Sequence, residues 1–225
     1  MNKRKIQIAI DGYAGCGKST LAKKIADYFG LVYIPSGDLY RYVTLKMLEA
    51  DIAPLAITEK DLVFLNQLCS VNVHSIMEEE RIFDQLEVKS KEIRQKVGLY
   101  AQMPIVRNSI NDFIRSTKKS FSSIVEGRDI GCVVLPDADL KYFMYGSIDY
   151  RISCWEKGQI AQKGFFDQSE RDSLYRDTLA RDRMDETRAI APLICAKDAI
   201  KIDVEQLHGE KLFQKVVKDI KKIYK

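Results

Sequence analysis

The hydrophobic pattern changes period repeatedly along the first fifty residues. A continuous apolar run from Ile6 to Ile10 predicts a short buried strand, stopped by Asp11 and Gly12. After a glycine-rich turn, Leu21, Ala22, Ile25, Ala26 and Phe29 recur at helical spacing, with Gly30 as a natural stop. "LVYIP" predicts a second strand and "GDLYRYVTLKMLEA" a second helix. Strand, helix, strand, helix is the opening of a parallel sheet with covering helices, an α/β fold.

Residues 58–70 predict another helix, with Thr58 as cap and Asp61 three positions later. The texture then turns to short β-prone runs. "VNVHSI", the acidic turn "MEEER" and "IFDQLEV" predict an antiparallel hairpin, and "KSKEIRQKVGLYAQM" a loop or helix, so 71–104 is a candidate insertion. "PIVRNSINDFIRSTKKS" returns to helix, with Pro104 near its start. "FSSIVEG" and "DLKYFMYG" predict two buried strands, a charged helical stretch runs from about 148 to 188 with a break around Gly164, and "DAIKIDV" predicts a last strand. At the C-terminus Val216, Val217, Ile220, Ile223 and Tyr224 recur at helical spacing within the basic "KVVKDIKKIYK", which predicts a docked amphipathic helix.

Composition narrows the function classes. The 225 residues, 46% hydrophobic, suit one core carrying insertions, and a net charge of only +4 with interspersed acids argues against nucleic-acid or membrane partners. Cys16, Cys69, Cys132, Cys154 and Cys195 are scattered without a CxxC pair, and only two histidines are present. That excludes a zinc-site or disulfide-framework pattern and favours a reducing compartment. The apolar stretch near the N-terminus, about five residues, is too short for a signal peptide or a membrane span. A cytoplasmic protein is expected.

The glycine-rich turn carries the chemistry. "GYAGCGKS" satisfies G-x-x-x-x-G-K-[ST], between a predicted strand and a predicted helix. Its glycines let successive N–H groups face phosphate oxygens, the helix N-terminus adds partial positive charge, and Lys18 adds a full one. The segment Gly12, Tyr13, Ala14, Gly15, Cys16, Gly17, Lys18, Ser19 and Thr20 is therefore the expected ATP site, with Ser19 the expected Mg²⁺ ligand. A guanine-reading N/TKxD motif is absent, and a small P-loop chain with extra arginine-bearing elements fits a small-molecule kinase.

Further motifs fix the class more closely. "SGDLYR" (36–41), "KEIRQ", "EGRDIGCVVLPDADLKYF" and "RDRMDETRAIAPL" follow the phosphate loop in that order. Together these resemble the bacterial-type cytidylate (CMP/dCMP) kinases of the nucleoside monophosphate kinase group, over nearly the whole chain. The resemblance implies a P-loop NTPase fold whose core is 1–70 and 105–225, with a short helical lid at about 152–170 and a small antiparallel monophosphate-binding insert at 71–104. It implies ATP and Mg²⁺, small-molecule nucleotides as partners and a monomer.

By the same resemblance Ser36, Arg41 and Arg128 hold the monophosphate. Arg107, Asp129 and Arg188 read the base, Arg181 with Asp185 holds the ribose, and Asp129 has the Mg²⁺ shell as an alternative role. Lys18, Arg41, Arg128 and Asp129 are the expected catalytic set. Bringing two nucleotides together demands many cations, and arginine meets phosphate bidentately. On a helix, Arg181, Asp185 and Arg188 share one face, with Asp185 between two arginines, while Arg183 and Glu186 point to water.

Departures from the family pattern are Pro35 where an aspartate is usual and Gly98 where a base-contacting serine is expected. Met184 replaces an arginine, and the lid start "YRISCWEKG" has Arg151 as its sole arginine, with Trp155 where another cation is normal. These leave two alternatives open: a same-fold kinase for UMP, AMP or a non-nucleotide metabolite, and a catalytically weak ATP-binding regulatory protein.

Overall fold

The computed structural model describes residues 4–54, 61, 63, 90–165 and 167–224. The hairpin expected over 71–88 and nearly all of the helix expected over 58–70 lie outside the described residues. The chain divides into two compact units, Met1–Tyr33 with Ser123–Lys225, and Ile34–Ser122.

In the first unit, strands β1 (Gln7–Gly12), β3 (Ser123–Glu126), β4 (Leu140–Tyr145) and β5 (Ile200–Asp203) pair in parallel, and with β2 (Val32–Pro35) the sheet order is β2-β3-β1-β4-β5. The centre of the sheet is β1, and all six of its residues are buried. That explains why Ile6–Ile10 reads as a continuous apolar run rather than an alternating one. The strand does not stop at Asp11. Pairing with β4 continues through Asp11 opposite Phe143 and Gly12 opposite Met144, because a buried carboxylate finds backbone donors there.

Helix α1 (Lys18–Phe29) packs Leu21, Ala22, Ile25 and Ala26 into the core beside Ile8, Ile10, Ile124, Tyr142, Met144 and Ile202. The C-terminal helix α7 (Gly209–Ile223) adds Leu212, Phe213, Val216, Val217 and Ile220 to the same core, as its spacing predicts. Ile223 is 38% exposed and stands outside it. The charged stretch is two helices, α5 (Ile148–Lys163) and α6 (Gln168–Thr187), and Gly164 in the left-handed region ends α5. Between β3 and β4 the chain makes a π-helical turn, Ile130–Val134, inside a segment that reads as part of the later strands.

The second unit contains α2 (Ser36–Glu49), α3 (Lys91–Tyr100) and α4 (Pro104–Thr117), with α2 packed on both others. Leu39, Val43 and Met47 of α2 are buried, as are Ile93 and Tyr100 of α3 and Val106, Ile110 and Ile114 of α4. Ser90 caps α3, accepting from the Ile93 amide, and Pro104 opens α4 where its missing N–H costs nothing. No helix among the described residues is long and apolar enough to cross a membrane.

Candidate active site

The phosphate loop leaves β1 at a point only glycine can occupy. Gly12 has φ 141°, and a Cβ there would lie 2.0 Å from the Met144 carbonyl oxygen. The next residue's amide, Tyr13 N–H, donates to that same carbonyl at 3.2 Å, so the loop begins tied to the end of β4. Lys18 folds back over the loop and donates to the Gly12 and Tyr13 carbonyls at 2.9 and 2.7 Å. Burial pushes its ammonium down to about 7; the Arg128 charge acts in the same direction, and Glu126 opposes it. An arriving polyphosphate reverses that balance by supplying the opposite charge the site lacks.

Ser19 Oγ donates to Glu126 Oε1 at 2.6 Å, and Tyr33 Oη donates to the same oxygen at 3.1 Å. A hydroxyl and a carboxylate are hard oxygen donors, the set that suits Mg²⁺. The sequence reading found Ser19 and missed Glu126. Glu126 directly follows the short run "SSIV", and only the pairing of that strand with β1 brings it beside Ser19.

Four of the expected acceptor residues form one alternating network. Arg128 Nε donates to Asp185 Oδ2 at 2.7 Å, and Arg188 lies 3.6 Å from Asp185 Oδ1 and 3.2 Å from Asp129 Oδ1. Asp129 and Asp185 are buried, at 5% and 7% exposure. Buried acids that each meet a guanidinium hold its fork in place.

The helical-face expectation needs correction here. Helix α6 ends at Thr187, and Arg188 is extended, with φ −60° and ψ 139°. Asp185 still meets Arg188, now across the helix end rather than along one helical face, and it also meets Arg128. The turn after the helix makes this possible: Ala191, at φ 50°, aims its carbonyl back to accept from Arg188 Nε at 2.5 Å. Arg181 is exposed, and its charge bears on Lys18.

Two further residues of this region have partners on the phosphate loop. Glu186 is exposed as expected, and Tyr13 Oη donates to its Oε1 at 2.7 Å. Burial, reinforced by that carboxylate, pushes the Tyr13 phenol up to about 12. Arg151, at the expected start of the lid, is buried. It is 5% exposed and donates to the Ala14 carbonyl at 2.9 Å and to the Gly146 and Ser147 carbonyls at 3.1 and 3.3 Å. Its guanidinium also pairs with Asp182 at 2.7 Å and lies 5.2 Å from the Tyr13 ring centroid. Arg151 thus braces the phosphate loop from behind.

In the second unit, Arg41 pairs with Asp38 one turn earlier on α2, and Gly37 lies beside its guanidinium. Ser36, the first residue of α2, is buried. Arg107 is 2% exposed, donates to the Ala101 carbonyl at 3.2 Å and lies 5.7 Å from the Tyr40 ring centroid. Gly98 lies within α3, and its carbonyl accepts from the Gln102 side chain.

The family model for cytidylate kinase matches residues 8–222. A cytidylate kinase from Exiguobacterium sp. is 34% identical over 98% of this chain and 99% of its own. One from Alkaliphilus oremlandii is 36% identical over 96% of this chain and 98% of its own. Among solved structures, an uncharacterized protein from Eubacterium ventriosum superposes with a TM-score of 0.50 at 14% identity, over 97% of this chain and 99% of that one, a likeness of fold alone. With a phosphate loop, a strand-end acid beside its serine and a paired arginine network under one family match, this chain belongs to the cytidylate kinase family of ATP-dependent phosphotransferases.

Proposed function

We propose that the protein transfers the γ-phosphoryl group of ATP to the 5′-phosphate of CMP or dCMP, with Lys18 and Arg128 supplying charge that this step requires. The observation that carries the reading is the Arg128–Asp185–Arg188–Asp129 network in the unit that contains the phosphate loop. Phosphoryl transfer asks for positioning and electrostatic stabilisation and for little covalent chemistry. The acceptor phosphate is already an anion, so no general base is needed. Network arginines held by buried acids lose little freedom when a phosphate arrives, which favours binding and alignment.

Lys18 holds the donor phosphates, and Tyr13 through Thr20 offer them backbone N–H groups. Ser19 and Glu126 are the residues that would hold Mg²⁺, which when bound would neutralise phosphate oxygens of the nucleotide. Ser36, Arg41 and Arg107 serve acceptor binding, Arg181 and Asp185 the ribose, and Asp129 with Arg188 the base, as the family resemblance implies. The resemblance also supports 71–104 as the monophosphate-binding insert and about 152–170 as the lid. The free thiols Cys16, Cys132, Cys154 and Cys195 accord with a reducing, cytoplasmic setting.

The test is ADP formation in the presence of Mg²⁺ with CMP, dCMP, UMP, AMP and GMP in parallel. Turnover with CMP and dCMP well above the others is expected. Turnover with AMP or UMP instead would move the reading to another acceptor, and ATP binding by calorimetry without turnover on any of them would make it a regulatory protein.

A further inference from the structure

Asp11 has no role in the reading above, yet it is a buried carboxylate at the heart of the site. It is 3% exposed, directly precedes the phosphate loop, and accepts the Ile130 amide at 2.8 Å and the Gly131 amide at 2.7 Å. Those amides open the π-helical turn, and the first amides of a helical turn have no carbonyl of their own to donate to. At the same end of the turn the Asp129 carbonyl accepts the amides of Val133 at 2.8 Å and Val134 at 3.2 Å, which closes it. The approach is close: a Cβ on Gly131 would lie 3.3 Å from Asp11 Oδ2 and 3.2 Å from Lys141 Cδ. Thus one carboxylate on β1 fixes the backbone immediately after Arg128 and Asp129, across sequence separations of 119 and 120.

A neutral side chain would fill this place at lower cost. Burial pushes the Asp11 carboxyl up to about 6; the two amides and Lys18 counter that, and Asp129 adds to it. A single carboxylate can accept both amides at once, one on each oxygen, whereas an amide side chain of the same shape would turn an NH₂ donor toward one of them. The geometry of that double acceptance matches a need to hold the loop in one position.

We propose that Asp11 is a positioning residue for phosphoryl transfer, fixing the loop that presents Arg128 and Asp129 by accepting the Ile130 and Gly131 amides. The proposal rests on the reading that Arg128 serves the acceptor nucleotide. It separates Asp11 from the phosphate loop it adjoins, because its hydrogen bonds run to the acceptor side.

The test is steady-state kinetics of Asp11→Asn, Arg128→Ala and the double variant, with KM measured separately for CMP and ATP and folding checked by circular dichroism and thermal melting. Asp11→Asn should raise KM for CMP about tenfold, the loss of one buried hydrogen bond, and KM for ATP less than twofold. In the double variant the two effects on kcat/KM for CMP should be strongly non-additive, because Asp11 acts through Arg128. Gly131→Ala, which crowds the same carboxylate from the opposite side, should reproduce the CMP effect in milder form and serves if Asp11→Asn does not fold.

Equal rises in both KM values, from Asp11→Asn or from Gly131→Ala, or simple additivity with Arg128→Ala, overturn the positioning role. Arg128→Ala with unchanged CMP kinetics would instead remove the assignment of Arg128, and the proposal with it.

Discussion

Asp182 and Asp185 stand one turn apart near the end of α6, and each holds an arginine, but to opposite ends. Arg151 on Asp182 is enclosed: both side chains are under 8% exposed, and three backbone carbonyls take further donors of the guanidinium. Arg128 on Asp185 is more open, at 16% side-chain exposure, with Nε on the acid and one 3.3 Å contact from Nη1 to the Gly127 carbonyl. The first arginine is a structural member. The second is aligned by its acid yet keeps donors for a ligand among the described residues. The lesson is that an arginine's function depends on how many of its donors the fold already uses, and that number is invisible in a motif.

The largest effect should come from breaking the enclosed pair. Arg151→Ala leaves the Asp182 charge buried and unpaired, so it should cost ~3–5 kcal/mol of stability in urea unfolding, and much of this should return in the Arg151→Met, Asp182→Leu double variant. A loss under ~1 kcal/mol would mean that the pair is wetter than its burial indicates. Breaking the open pair should spare the fold. Arg128→Ala is expected to lower kcat/KM for CMP by ~10²–10³, with stability within ~1 kcal/mol of wild type.

Asp11 extends the comparison to a buried acid held by amides rather than by an arginine. Its folded pKa of about 6 lies above the ordinary value of 3.8, so protonation favours the folded state. Its contribution to stability is therefore fully present below about pH 4 and lost as pH rises through about 6, a change of up to ~3 kcal/mol. Asparagine does not titrate, so the melting temperature of Asp11→Asn relative to wild type should improve from pH 4 to pH 7.5. A constant difference would sink the shift. The smallest effect belongs to the exposed bond between Tyr13 and Glu186: Tyr13→Phe should cost ~0.5–1.5 kcal/mol, read by thermal melting, and leave CMP kinetics unchanged.

The fold was largely legible because its signals are local and periodic. Burial on both faces of β1, the stripe on α7, Pro104 at the start of α4 and Gly164 between α5 and α6 all leave marks within a few residues of themselves. The site was legible in part. Lys18 and Ser19 announce themselves by spacing, and Arg128, Asp129, Asp185 and Arg188 came through resemblance. Glu126, Asp11 and Asp182 were missed because each acts on a partner at least 31 residues away, and no spacing rule reaches that far. Arg188 left the predicted helical face for a different reason, since helical spacing extrapolates one residue past a helix that ends at Thr187.

By itself the sequence determined an α/β chain with a nucleotide-phosphate loop and an arginine-rich end, because hydrophobic period and glycine placement encode local conformation directly. Only the tertiary structure decided which arginines brace the loop and which keep donors for a ligand, because parallel strand pairing brings together side chains that are distant in the chain. It also decided that Asp11 meets the amides after Asp129, a contact set by the register of β1 in the centre of the sheet.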